Sequence, residues 1–215
     1  MEEPFEHPVY SKNVVEFVTV ANEYCNFIEE SGKFSRKDLI LTAQRLLPIL
    51  YLKSTLLPEV EPELEEANEK FVTEADWNFI DENLKEKLGE FDDFLEVFDP
   101  QMEESEHPVP QSLAENFADI YQDLKDFLTV YRIGNVEMMN DGLWECNESF
   151  KKDWGQKLVN SLRALHNIYY GDHDLESEEG EKSPNDIDLE HIDTSNWLIS
   201  KKIRDFKDGS ESESE

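Results

Sequence analysis

The side chains of this sequence that could best bind a small molecule are arginine, histidine and aromatic residues in the second half of the chain. A guanidinium group forms paired hydrogen bonds with carboxylate or phosphate groups, and an aromatic ring stacks on a planar group. If these side chains lined one cleft, they would bind an anionic or planar ligand. The structural alternative, which we favour, is that the arginines pair with neighbouring carboxylates and a tryptophan fills a corner between two helices. The candidate ligand-binding residues are Arg132, Trp144, Trp154, Arg163 and His166, with Tyr131 alongside them.

No residue pattern in the chain indicates a catalytic centre or a metal site. A di-iron helical bundle needs two Glu-x-x-His units on helices, and the single match, residues 104–107, falls in a predicted loop. Cys25 has no basic neighbour on its apolar helical stripe to lower its pKa, and Cys146 is too distant in sequence to suggest a zinc site. His173 falls in a predicted linker without partner histidines. We therefore predict no catalytic residue, no metal and no cofactor.

Negative charge is the strongest bias in the composition, because 51 Asp and Glu against 20 Lys and Arg give a net charge of −31. Such a field repels nucleic acid phosphates and anionic lipids, so we expect neither nucleic acid nor a membrane as partner. Residues 58–106 hold 19 acidic and 3 basic residues. Their surface has three interpretations: solvation, docking of a basic partner protein, or mimicry of nucleic acid. The acidic first residues and the two distant cysteines favour a cytoplasmic protein with free thiols.

Six stretches of the chain carry apolar residues at the spacing of an amphipathic helix. Ser35 and Thr73, each followed three residues later by Asp, are typical helix caps, and Gly134 is a typical helix end. No stretch could bury its apolar face alone, so we predict one all-α helical bundle over residues 13–170. The predicted helices cover residues 13–30, 35–50, 73–98, 113–131, 139–150 and 153–169, the last capped by Asp153.

The chain after residue 170 is strongly acidic except for one short amphipathic segment, residues 194–206. This segment combines apolar side chains with Lys201, Lys202 and Arg204. It is too apolar for a free tail, so we expect it to dock in cis on the acidic helix 73–98; binding to a partner protein or disorder are the alternatives. Its predicted docking residues are Trp197, Ile203 and Phe206. The remaining regions are an N-terminal extension (1–12), an acidic flexible linker (171–193) and an acidic disordered tail (207–215).

Aromatic residues, prolines and glycines recur in a characteristic order along the chain. The series comprises Phe98-Asp99-Pro100, Pro108-Val109-Pro110, Tyr131-Arg132, Gly134, Trp144, Phe150, Trp154-Gly155 and Arg163-Ala164-Leu165-His166. This series resembles the bacterial family called domain of unknown function 5063. The opening helix, with Phe17, Ala21, Tyr24 and Cys25, is also similar to that family, so the resemblance covers residues 13–170. The acidic linker, the segment around Trp197 and the tail resemble those of Bacteroidetes-type members. The resemblance implies a bacterial, helical, cytosolic protein, and it implies no established activity.

Charge, helix pattern and the lack of catalytic motifs lead to one functional hypothesis and one alternative. The hypothesis is a non-catalytic protein-interaction or adaptor module with an acidic docking face. The alternative is a binder of a small anionic or planar ligand, or an enzyme, that uses a cleft around Arg132, Trp154 and Arg163. Convergent polar groups in a closed, concave pocket would favour the alternative, whereas a flat acidic or apolar patch with no pocket would favour the hypothesis.

Overall fold

The structure is a computed structural model that describes residues 7–64, 68–95 and 109–176. All of these residues fall within one compact unit, Met1–Ser177. Six α-helices and one short hairpin in the described residues confirm the all-α class. Residues 194–206, with the predicted docking side chains, lie outside the described residues. The elements are α1 (Lys12–Glu29), α2 (Arg36–Ser54), α3 (Glu74–Leu88), β1 (Asp93–Leu95), β2 (Pro110–Ser112), α4 (Leu113–Ile133), α5 (Val136–Ser149) and α6 (Gly155–Tyr170).

Helix α4 is the centre of the fold, because it packs against α1, α3, α5 and α6. Its apolar stripe is buried, and Phe117 and Leu124 are fully inaccessible to solvent. Tyr24 of α1 donates its hydroxyl to the carbonyl of Phe117 at 3.0 Å. Ser112 caps the start of α4 by accepting a backbone N–H of the first turn, and Gly134 ends the helix at φ +79°. The predicted helix 113–131 and its glycine end are therefore confirmed.

Helix α3 is shorter than the sequence predicts. It begins after the Thr73 cap as expected, but it ends at Leu88 rather than at residue 98. Gly89 follows at φ +57°, and the Nε atom of Arg36 donates to the carbonyl of Lys87 at 3.0 Å. The prediction was wrong because apolar residues beyond residue 88 keep the helical spacing, whereas glycine and the arginine end the helix.

A two-stranded hairpin leads from the α3 region into α4, with Asp93 of β1 opposite Ser112 of β2. The buried carboxylate of Asp92 accepts the Ser112 hydroxyl and the Ala114 N–H, both at 2.8 Å. Burial raises the pKa of Asp92, and these two hydrogen bonds act in the opposite direction. This aspartate, predicted to lie on a helix, thus joins the hairpin to the first turn of α4.

Helices α5 and α6 are joined by a π-helical segment, Phe150–Trp154, instead of a capped break. The prediction that Asp153 caps α6 was wrong, because its carboxylate accepts from Lys157 at 2.8 Å and α6 begins without a side-chain cap. The wider turn places Trp154 in the core, where it is fully buried. A β-carbon at Gly155 would lie 2.4 Å from the carbonyl oxygen of Phe150, so this close turn requires glycine.

Candidate functional site

The two predicted ligand-binding arginines are far apart, and each has a structural partner. Arg132, at the end of α4, donates to Asn22 Oδ1 at 2.6 Å. Arg163, on α6, donates to the carbonyl of Leu95 at 3.2 Å. Because Leu95 lies in the hairpin at the start of α4, the length of that helix separates the two arginines by about 30 Å at ~1.5 Å per residue. A single small ligand could not contact both, and neither acceptor is a carboxylate.

The two tryptophans and the histidine of the predicted cleft have three different environments. Trp154 is fully buried, and its Nε1 atom donates to the carbonyl of Cys146 at 3.3 Å. His166 is exposed on α6, with its ring centroid 4.8 Å from that of Tyr170. Trp144 is half-buried and is the one member of the predicted set that lines the cavity described below. The structure therefore does not bring the predicted set together in one cleft.

A row of polar side chains runs along α4, opposite its apolar stripe. Asp119 accepts the Nε1–H of Trp77 at 2.9 Å and the ammonium group of Lys157 at 2.8 Å. One turn later, Asp123 accepts the hydroxyl of Ser149, and burial raises the pKa of this aspartate. The spacing of the row, at residues 116, 119, 123 and 126, was the available sequence signal. The sequence analysis missed it because the same spacing also describes an ordinary solvated helix face.

The connection between α2 and α3 is held by carboxylates of α4 and α5. Asp141 accepts the backbone N–H groups of residues 63 and 64 at 2.7 and 2.9 Å. Asp126 accepts those of residues 71 and 72 on a single oxygen at 2.8 and 2.9 Å. Both aspartates are almost fully buried. These carboxylates bind backbone amides in place of a second strand or helix, so their role is structural.

A cavity of about 400 Å³ lies between α4, α5 and this connection. Its acidic groups already have partners. Glu145 accepts the Asn68 N–H at 3.0 Å and the Lys70 ammonium group at 3.3 Å, and Glu148 lies 3.1 Å from the ammonium group of Lys152. In the described part of the chain, no three His, Cys, Asp or Glu side chains are grouped so that they could hold a metal ion.

The two cysteines are free and buried. Burial raises the pKa of both thiols above the ordinary value, Cys25 within α1 and Cys146 within α5. We expect a thiol reagent added to the native full-length protein at neutral pH to label neither cysteine within minutes, and both in denaturant. Rapid labelling of either cysteine in the native protein would contradict the burial, because the thiolate is the reactive species and needs solvent access.

The solvent-facing side of α3 combines one exposed aromatic ring with carboxylates. We call its residues Asp76, Phe79, Glu82 and Glu86 the α3 outer face. The side chain of Phe79 is 63% exposed, the second-highest value among the large apolar residues that the structure describes as exposed. Glu82 and Glu86 follow it at positions i+3 and i+7, on the same side of the helix. The sequence analysis predicted the carboxylates of this face, but it did not single out Phe79.

The two glutamates of the α3 outer face are not paired with a cation of the described residues. Lys85, which follows Glu82 at position i+3, binds Asp81 at 3.1 Å and Glu115 at 2.9 Å instead. Within the described residues Glu82 and Glu86 form no ion pair. Asp76 stays ionised over a wide pH range, because hydrogen bonds from Thr73 lower its pKa. The face therefore presents an apolar ring within a negative field.

Comparisons with known proteins give the same family and a solved relative. Residues 8–171 match the family model described as domain of unknown function 5063. The fold is similar to the crystal structure of a protein from Bacteroides fragilis, with 42% sequence identity and a TM-score of 0.69, over 76% of this chain and 96% of that one. The curated proteins gave no match. No helix among the described residues is both long and apolar enough to span a membrane.

Proposed function

This chain belongs to the family described as domain of unknown function 5063, and from that premise we propose that it is a non-catalytic docking module whose α3 outer face binds a basic, amphipathic segment of a protein. The family description assigns no activity, so the proposal rests on surface chemistry. The observation that carries it is Phe79, which is 63% exposed beside two glutamates that form no ion pair within the described residues.

The chemistry of the α3 outer face selects its partner. Covering the Phe79 ring removes apolar area from water, at about 25 cal/mol per Å², so the partner must present an apolar side chain. Residues 74–90 hold six acidic and two basic residues, so cations on the partner are attracted and anions are repelled. A lysine- or arginine-containing amphipathic segment meets both requirements.

The small-ligand alternative has less support. Arg132 and Arg163 lie at opposite ends of α4 and bind Asn22 and the Leu95 carbonyl. Trp154 is inaccessible to a ligand. The cavity beside Trp144 is lined by five carboxylates and two lysines, and this excess of negative charge would repel an anionic ligand. A role of these residues in ligand binding stays a prediction without a common cleft to support it.

Fluorescence anisotropy with a labelled peptide tests the docking function. The peptide has the sequence of residues 194–206, which is basic and amphipathic. The protein is the full chain with Trp197, Ile203 and Phe206 replaced by serine, so that its own segment cannot compete; we call it the silenced chain. We expect binding that weakens with added salt. Phe79→Ala and, separately, Glu82→Lys in the silenced chain should each weaken binding about tenfold, because each removes a central contact.

Two matched controls separate the face from general surface effects. Leu52→Ala removes a side chain that is 54% exposed on α2, and Glu30→Lys reverses an exposed charge at the end of α1. Both controls should change the affinity less than about twofold, since surface contacts away from an interface contribute little. Equal losses in the controls and in the Phe79 and Glu82 variants, or no binding at all, would refute the docking function.

A further inference from the structure

We propose that residues 194–206 of this same chain are an occupant of the α3 outer face, so that the docking surface is covered in cis until a partner competes for it. This inference rests on the proposed docking function and names an occupant for it. Three observations support it: where the described chain ends, how far the following residues reach, and the match of charge and apolar side chains.

The described chain ends beside the C-terminal end of α3. Glu176 binds the ammonium group of Lys37 at 2.6 Å, and Leu175 is buried. The His173 ring packs edge-on against Phe91, with 5.4 Å between the ring centroids. Phe91 lies in the single 3₁₀ turn that follows α3. The residues after 176 therefore start from the same end of the molecule at which α3 terminates.

The distance from this point to the α3 outer face suits the length of the following chain. Phe79 and Glu82 precede Phe91 by twelve and nine residues, or about 18 and 13 Å along a helix axis. Residues 177–193 are 17 in number, and random-coil scaling for 17 residues gives an average span of about 20 to 25 Å. A linker matched to its span gives an effective concentration in the millimolar range, so even a weak contact would be occupied in cis.

The segment carries the groups that the α3 outer face lacks. Trp197, Ile203 and Phe206 can cover the Phe79 ring, and the segment has three cations against one acidic residue, Asp205. The exposed apolar side chain Leu52 is a poorer target, because its helix α2 holds four basic residues and one acidic residue. Charge complementarity therefore favours α3 over the exposed part of α2.

Engineered disulfide formation tests the cis contact in the full chain. Asn83→Cys places a thiol on α3, eight residues before Phe91, and Ser200→Cys places the second thiol in the segment. The matched control combines Ser200→Cys with Arg45→Cys, which is exposed on α2 eight residues after Lys37. The native cysteines are buried and do not compete. We expect the α3 pair to form an intramolecular disulfide at least about tenfold faster than the α2 pair at low salt, because cis docking raises the local concentration.

High salt should reduce the difference in rate between the two pairs, since the contact is electrostatic as well as apolar. Equal rates at low salt would overturn the inference. Disulfide-linked dimers in place of the intramolecular product would also overturn it, because they would show that the segment binds a second copy. Disulfide formation in both pairs is measured by intact mass and by gel mobility without reductant.

The labelled peptide distinguishes failure of this inference from failure of the docking function. If the inference is correct, the native chain binds the peptide at least about tenfold more weakly than the silenced chain, because its own segment competes. If both chains bind the peptide equally well, the cis contact is wrong and the docking function stands. If neither chain binds it, the docking function is refuted and the inference fails with it.

Discussion

Replacing Trp154 by alanine is expected to lower the free energy of unfolding by about 3 to 5 kcal/mol, as for other fully buried large aromatic side chains. Trp154 is fully buried at the π-helical junction of α5 and α6. Its ring packs on Phe150, with 4.7 Å between the ring centroids, and its Nε1–H satisfies the carbonyl of Cys146. The variant loses this packing and this hydrogen bond, and it leaves a cavity where the ring was.

Urea unfolding followed by far-ultraviolet circular dichroism measures the loss without depending on tryptophan fluorescence. Trp144→Ala is the matched control, because Trp144 is only half-buried. This variant should lower the free energy of unfolding by less than half as much as Trp154→Ala. A cost below about 1 kcal/mol for Trp154→Ala would mean that the junction collapses around the missing ring and that the π-helical segment does not depend on it.

Replacing Asp126 by alanine is expected to cost about 2 to 3 kcal/mol, because two backbone N–H groups lose their common acceptor. These N–H groups belong to Phe71 and Val72, at 2.8 and 2.9 Å from one carboxylate oxygen. Asp126→Asn keeps an oxygen that can accept both bonds, so it should cost at most half as much. Comparing the two variants separates the contribution of the hydrogen bonds to stability from that of the negative charge.

Hydrogen exchange locates the effect of the Asp126 variants. The amide protons of Phe71 and Val72 should exchange faster in Asp126→Ala than in the native protein, and those within α1 should be unchanged. If Asp126→Asn were as destabilising as Asp126→Ala, the charge would be responsible, and attraction to Lys70, at 4.0 Å, would explain the effect better than the backbone hydrogen bonds.

If residues 194–206 cover the α3 outer face in cis, the apolar ring of Phe79 is shielded from water when no partner is bound. A net charge of −31 produces repulsion between copies of the chain. A basic partner segment would have to displace residues 194–206, so its apparent affinity would depend on how firmly the chain's own segment is bound. This arrangement predicts that mutations that weaken the segment raise the apparent affinity for a partner. Mutations of the α3 outer face should lower that affinity.

The sequence by itself determined the all-α class, most helix starts and the end of α4. Ser35, Thr73 and Gly134 act within one turn of their own position, and apolar residues at helical spacing mark the faces that must be buried. The free state of the cysteines agrees with their place on apolar stripes. These features depend on neighbours in the chain, so a sequence shows them.

Only the tertiary structure decided which acidic residues have structural roles. Asp126 and Asp141 are two of 51 acidic residues, and the amides that they bind are more than fifty residues away.

The tertiary structure also decided two helix ends. Trp154 is buried at the start of α6, where the sequence predicted a cap by Asp153. Arg36 of α2 helps to end α3. Local hydrogen bonding and periodicity reach about one turn along the chain, whereas these contacts depend on where distant segments pack. The separation of Arg132 from Arg163 and the exposure of Phe79 have that same origin.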